Sequence, residues 1–345
     1  MSAPPETPLL DRLTARGRAF LGTRHAVLGG AMTWVSERHL VAAISEAGGF
    51  GVLACGAMTP DLLAAEIAAT RERTHKPFGV NLITMHPQLM DLIAVCREGG
   101  VGHVVLAGGL PPAPAIAAIR EFARVIAFPP SLAFARKLLR SGVDALVIEG
   151  SEAGGHVGPV SLSVLAQEIL PQLPEAVIFA AGGIARGETM AALVDMGASG
   201  VQIGTRLVTA TESIAHPNFK RAFLRASARD AVTSVQFDPR LPVIPVRALK
   251  NAGTEAFMNK QREVSARLAA GELPLAEAQL EIEHYWAGAL RRAVIDGDVE
   301  TGSVMAGQSV GMVTAEEPVA DIIGRLVTEA ETALGRRLAL EPAGL

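Results

Sequence analysis

Eight short apolar runs, spread over about the first two hundred residues, constrain this chain more than any other feature. They are Ala26–Gly30, Gly49–Ala54, Phe78–Ile83, Gly102–Ala107, Arg124–Phe128, Asp144–Glu149, Ala176–Ala181 and Gly200–Thr205. They are near-continuous rather than alternating, which marks strands buried on both faces, as in parallel sheets. Segments with helical periodicity separate them. Ser36–Ala47 starts with Ser36 in an N-cap position and stops before Gly48-Gly49, and Thr59–Arg73 opens with proline at its first helical position. His86–Glu98, Ser131–Arg140 and Gly187–Met196 follow the same plan. Eight such units predict a (β/α)8 TIM barrel, an α/β fold whose chemistry sits on loops after the strands' C-terminal ends. A doubly wound open sheet accounts less well for eight evenly spaced units.

After about Ile214 the pattern changes. A proline-punctuated crossover, Asp238–Pro245, leads to helical segments at Glu255–Ala269, Leu275–Val294 and Pro318–Leu334, with a Gly/Ser-rich stretch at Gly297–Gly311. The expected organisation is an N-terminal extension (1–23), a cofactor-binding barrel (24–213), and a crossover and helical lobe (214–345) that partly completes the barrel and partly covers its mouth.

Composition narrows the function. The net charge is −4 and no long run of Lys or Arg occurs, which argues against nucleic acid as a partner. Two cysteines, Cys55 and Cys96, stand far apart and outside any metal-ligand spacing, so no metal is expected and a reducing compartment is the simpler reading. No apolar run is long enough to span a bilayer and the first twenty residues lack a signal-peptide centre, so the chain reads as cytoplasmic with no membrane partner.

The chemistry concentrates at three strand-to-glycine joints. The first is Glu149-Gly150-Ser151-Glu152-Ala153-Gly154-Gly155-His156-Val157-Gly158. His156 lies just past a strand end, and an imidazole there can take or deliver a proton near neutrality. Glu149 is placed to accept hydrogen bonds from ribityl hydroxyls, and Glu152 to pin the loop. The other joints, Gly182-Gly183-Ile184 and Gly204-Thr205-Arg206, follow the seventh and eighth runs, where barrels commonly hold phosphate. Glycine lets backbone N–H groups approach an anion. Thr205 can donate a hydroxyl and Arg206 can add charge. Asn81 interrupts an apolar strand and needs a partner. Ala31 and Met32, after the first run, are placed to contact a cofactor ring. At each position the plainer alternative is structural: tight turns for the glycines, a loop hydrogen bond for Asn81, core packing for Met32. The GxGxxG signature of a Rossmann fold is absent.

These residues resemble the nitronate monooxygenase (2-nitropropane dioxygenase) family, which includes the flavin-dependent enoyl-ACP reductase II. The resemblance runs from about Arg24 to Val313. Gly79–Leu82, Ala181–Ile184, Gly200–Arg206, Val246–Asn251, Gly297–Glu300 and Met305–Gln308 support it. It implies a TIM barrel binding FMN non-covalently, with Ala31, Met32, Asn81, Glu149, Gly154, Gly155, Gly182, Gly183, Gln202, Gly204 and Thr205 as the cofactor-binding set and His156 as the catalytic histidine. Two positions depart from the pattern of many members: Ala31 stands where proline is common, and Glu149 where glutamine is common. Two activities follow from the resemblance. The leading one is oxidation of alkyl nitronates with O2 to carbonyl compounds and nitrite. The other is NAD(P)H-dependent reduction of an enoyl thioester or a quinone-like acceptor. A flavin-binding protein without turnover is a third reading. The expected partner is a small-molecule substrate, and a homodimer is left open.

Overall fold

In a computed structural model, which describes residues 8–56, 58–241 and 245–339, the eight apolar runs form the expected (β/α)8 barrel. Six strands come first: β1 (Val27–Gly29), β2 (Gly51–Ala54), β3 (Phe78–Ile83), β4 (His103–Ala107), β5 (Arg124–Ala127) and β6 (Ala145–Glu149). A two-residue strand, β7 (Gly155–His156), then leaves the barrel, and β8 (Val177–Ala181) and β9 (Gly200–Ile203) complete it. All neighbours in the barrel run parallel. It closes where β1 pairs with β9 on one side and bridges Phe50, just before β2, on the other; the Gly29 N–H donates to the Phe50 carbonyl at 2.9 Å.

Each strand is buried on both faces, which is why the runs are continuous. One set of side chains, including Val80, Leu82, Val104, Leu146, Ile148, Val201 and Ile203, packs outward against the helices. The alternate set, with Leu28, Phe50, Val52, Val105, Ile126, Val147, Phe179 and Ala181, fills the interior. The lower end is plugged by the helix Ala15–Leu21, which sends Leu21, fully buried, into this inner cluster. His103 sits edge-on between the rings of Phe20 and Phe50, with Nε2 2.9 Å from the Phe20 carbonyl, and burial lowers its pKa.

The helix expected at Ser36–Ala47 spans Arg38–Glu46, and its N-cap is Glu37, whose carboxylate accepts the N–H groups of His39 and Leu40. Ser36 is used elsewhere: its hydroxyl donates to the Gly30 carbonyl at 2.9 Å and accepts the Met32 N–H at 3.0 Å, fixing the loop after β1. Two outer helices, Ala113–Arg120 and Leu162–Ile169, were not read from the sequence. The first is obscured by prolines, although a proline in the first turn costs a helix nothing.

Beyond the barrel, β10 (Ala231–Thr233) and β11 (Val246–Leu249) join β7 in an antiparallel sheet of order β10-β11-β7. Helices Ala252–Ala269 and Leu275–Val294 pack on each other around a small core of their own, with Phe257, Val264 and Ile282. Residues 242–244 of the proline-punctuated crossover lie outside the described residues. The last helix, Val319–Ala339, returns to the barrel flank against helices Gly187–Asp195 and Arg38–Glu46. That approach is close: a Cβ on Gly187 would lie 2.3 Å from the Leu326 carbonyl oxygen, so glycine is required there.

Candidate active site

The register of the barrel decides which polar side chains share its upper interior. Glu149 lies opposite Ala181, Ala181 opposite Gln202, and Gln202 opposite Leu28. Asn81 lies between Ala54 and Val105. Directly opposed residues of a parallel pair point to the same face, and Leu28, Val105 and Ala181 point inward. Asn81, Glu149 and Gln202 therefore form a polar layer on top of an apolar barrel interior, walled partly by Ala31 and Phe128.

That layer is under-satisfied. Asn81 is 6% exposed and its amide nitrogen donates to the Val105 carbonyl at 3.3 Å, while its Oδ1 has no hydrogen bond among the described residues. The side chains of Glu149 and Gln202 likewise have no partner there. Asn81 is buried and Glu149 and Gln202 are half-buried, so three polar side chains without a full set of partners share one surface that a polar ligand can reach. Burial without a partner pushes the Glu149 carboxyl up to about 7.

Beside this layer lies an anion cradle. Gly182 and Gly183 have φ of 98° and 70°, a left-handed pair that turns successive N–H groups to one side. The backbone N–H groups of Gly182, Gly183, Gly204 and Thr205 donate to nothing among the described residues. A Cβ on Gly182 would come within 3.0 Å of the Gly150 carbonyl oxygen. Thr205 Oγ1 accepts the Gly307 N–H at 2.9 Å, which leaves its own proton free to donate. Arg206 does not join this cradle. It is 6% exposed and pairs with Glu317, which also binds Arg325. Met32 packs near Gly204, its sulfur 3.5 Å from where a Cβ there would lie.

The glycine loop after β6 is held from three directions. Glu152 accepts the Leu162 N–H at 2.9 Å, in the pinning role expected for it. Arg247 donates to the Ser151 carbonyl at 3.0 Å and to that of Ala231 at 2.6 Å. Gln308 donates its N–H to the Glu152 carbonyl at 2.9 Å. Gly154 fits because residues 306–307 pass over it; a Cβ would lie 2.6 Å from the Gly307 nitrogen. Gly155, at φ 80°, pairs with Arg247, and His156 with Val246. His156 is thus fixed on a strand rather than a free loop. Its surface is open to solvent while protein surrounds it on most sides, and the lost hydration lowers its pKa below 6.5. Among the described residues no group of three or more His, Cys, Asp or Glu is arranged to hold a metal, and no helix is long and apolar enough to cross a membrane.

Phe128, Arg247 and Gly307 were not singled out as site residues by sequence. Phe128 ends an apolar run and reads as core. Arg247 lies 96 residues from Ser151 and Gly307 102 residues from Thr205, the residues they bond, and only the family-like stretches around them carried a signal.

The nitronate monooxygenase family model matches residues 15–329. The chain belongs to the nitronate monooxygenase family. Its members are oxidoreductases. Among its relatives, the (3aS,4S,5R,7aS)-5-hydroxy-7a-methyl-1-oxo-octahydro-1H-indene-4-carboxyl-CoA dehydrogenase of Mycobacterium tuberculosis is 30% identical over 93% of this chain and 97% of its own. A nitronate monooxygenase of Paraburkholderia phytofirmans is 30% identical over 68% of this chain and 76% of its own. The structure of FabK from Thermotoga maritima superposes with a TM-score of 0.85 at 36% identity, covering 94% of this chain and 98% of that one.

Proposed function

We propose that this member of the family is an FMN-dependent oxidoreductase acting on the acyl group of a thioester, with residues 214–345 as the lobe over the barrel mouth. The observation that carries the reading is electrostatic. Two titratable groups at the mouth are displaced toward their uncharged forms, His156 downward and Glu149 up to about 7. The nearby guanidinium groups are engaged, Arg206 by Glu317 and Arg247 by two carbonyls. An exposed imidazole whose surroundings disfavour its charged form suits a neutral carbonyl compound better than a free anion. Support comes also from the CoA-thioester dehydrogenase and from FabK, an enoyl-ACP reductase II, which match nearly the whole chain.

The residues fit FMN. The free N–H groups at Gly182, Gly183, Gly204 and Thr205 suit a phosphate, and Asn81, Glu149 and Gln202 suit ribityl hydroxyls and the polar edge of a ring. Ala31 and Met32 line the same mouth, and Gly154 and Gly155 keep the loop flat enough for a ring to lie beside it. FMN, when bound, supplies hydride exchange and one-electron chemistry with O2. The chain's own part is to bind, orient and move protons. His156, held by β11 and disfavoured in its charged form, can hydrogen-bond a thioester carbonyl or take the proton from the carbon next to it. Phe128, Ala31 and Ala181 keep water from the inner side.

Oxidation of alkyl nitronates with O2 to carbonyl compounds and nitrite is the second reading. The family match and the Paraburkholderia relative favour it. There His156 would act at the acidic carbon of a nitroalkane or orient the nitronate. An anaerobic visible spectrum of the FMN-loaded protein separates the two. Bleaching by NADH, NADPH or a saturated acyl-CoA, with no response to a nitronate, is the expected result. Bleaching by the nitronate alone would replace the thioester reading with the second one.

A further inference from the structure

A cavity of about 580 Å3 lies on the flank of the lobe, away from the polar layer described above. One wall is the helix Pro217–Arg225. Phe219 and Phe223 face the core, while Asn218, Arg221 and Arg225, at a spacing that shares one helical face, line the cavity. Lys250, just after β11, lines it from the other side. Among the described residues none of the three cations is in an ion pair; Arg221 bonds only the Asn218 side-chain oxygen. Glu300 is the one carboxylate in the lining. In a chain of net charge −4 this is a local excess of positive charge in a concave, ligand-sized space. Leu249 and Val304 give it an apolar wall.

Two extended segments run from this cavity to the reaction site. Along β11, Leu249 lies in the cavity wall and Val246, three residues or ~10 Å away, is paired with His156. On the second segment Val304 accepts the Leu249 N–H at 2.8 Å, and Gly307, three residues on, donates to Thr205.

We propose that the cavity binds the phosphate-bearing adenosine diphosphate end of a coenzyme, that of CoA or of a 2′-phosphorylated nicotinamide nucleotide. The guanidinium groups pair with phosphates in forked geometry, and the apolar wall packs on the adenine. The remainder of the coenzyme extends over the lobe surface toward the mouth, where His156 is exposed. This deepens the thioester reading and rests on it.

The test is calorimetric titration of the FMN-loaded protein with 3′,5′-ADP and with 2′,5′-ADP, repeated on an Arg225→Ala/Lys250→Ala double variant. One nucleotide is expected to bind, the first if the source is CoA and the second if it is NADP(H), and the double variant is expected to weaken it at least tenfold. KM for the matching coenzyme should rise as much, with kcat unchanged and with a pantetheine thioester, which lacks the nucleotide, unaffected. Binding of neither nucleotide, or equal binding by both proteins, overturns the inference, as does a variant that loses affinity only for an acidic carrier protein. Failure of the two ideas is distinguishable. Nucleotide binding without turnover of any thioester refutes the function and keeps the cavity assignment. Equal turnover of CoA and pantetheine thioesters, with no nucleotide bound, does the reverse.

Discussion

Glu149 offers the sharpest perturbation, because its burial has a calculable consequence. Its carboxyl rises from 4.5 to about 7 with desolvation as the cause and no partner to offset it. At ~1.4 kcal/mol for each tenfold in proton affinity, the ionised side chain costs the folded apoprotein ~3 kcal/mol. Partial access to solvent at the mouth trims this to ~2–3 kcal/mol. Below pH 4.5 both folded and unfolded chains hold the proton and nothing is lost. As pH rises toward 7 the unfolded chain releases its proton first, so stability falls, and above 7 the full cost is present. Glutamine has the same shape and no charge. Glu149→Gln should therefore match the parent at pH 4.5 and exceed it by ~2–3 kcal/mol at pH 8. Urea unfolding of flavin-free protein at the two values, read by far-UV circular dichroism, measures the difference. A gap between the two proteins that does not change with pH would refute the desolvation argument. If the carboxylate then accepts ribityl hydroxyls, FMN should bind the parent more tightly above pH 7 than below it, a trend the glutamine variant should lose.

Three further outcomes follow from the geometry. His156→Ala should keep its bound flavin and lose about 100-fold or more in turnover; since the imidazole pKa is lowered, the acid limb of the parent's pH–rate profile should lie below pH 6.5, and a limb unchanged in the variant would assign it to another group. Gly183→Val should lose most of its bound FMN, because a branched residue at φ 70° is strained and its Cβ would press on the Glu152 side chain at 3.1 Å, shifting the turn that aims the free N–H groups; an unchanged flavin-to-protein ratio after gel filtration would remove the phosphate assignment. Glu317→Ala should destabilise the fold by ~3 kcal/mol, since it leaves the buried Arg206 without its counter-charge; a melting temperature within a degree of the parent's would show that solvent or Arg325's surroundings compensate.

The barrel was legible because every one of its strands is buried on both sides, so apolar continuity survives in one dimension. The short sheet was not. β7 is two residues long, and its partner β11 lies about ninety residues further on, with β10 on the far side of β11. No local propensity announces a two-residue strand, and His156 read as a loop residue for that reason. The same logic explains Ser36. A serine before a helix is a good N-cap by type, but Glu37 reaches the free N–H groups, and Ser36 bonds the turn after β1 instead. Arg206 beside Gly204 reads as a phosphate ligand until Glu317, over a hundred residues away, claims it.

The polar layer shows how far such reading extends. Asn81, Glu149 and Gln202 were each singled out, Asn81 for interrupting its apolar strand and Gln202 only by resemblance. What the sequence leaves open is that they belong to one surface. That follows from the strand register, which sets Glu149 opposite Ala181 and Gln202 opposite both Ala181 and Leu28. A shift of one residue in any of these pairings would turn that side chain outward into the helix layer, where an unpaired carboxyl or amide has no water to reach. The apolar neighbours Ile148, Val201 and Ile203 prevent the shift by needing the outer face themselves. The hydrophobic packing of the outer layer is thus what holds these inward-facing polar groups in place, and, on the proposed function, substitutions among those outer residues should weaken cofactor binding without touching the site.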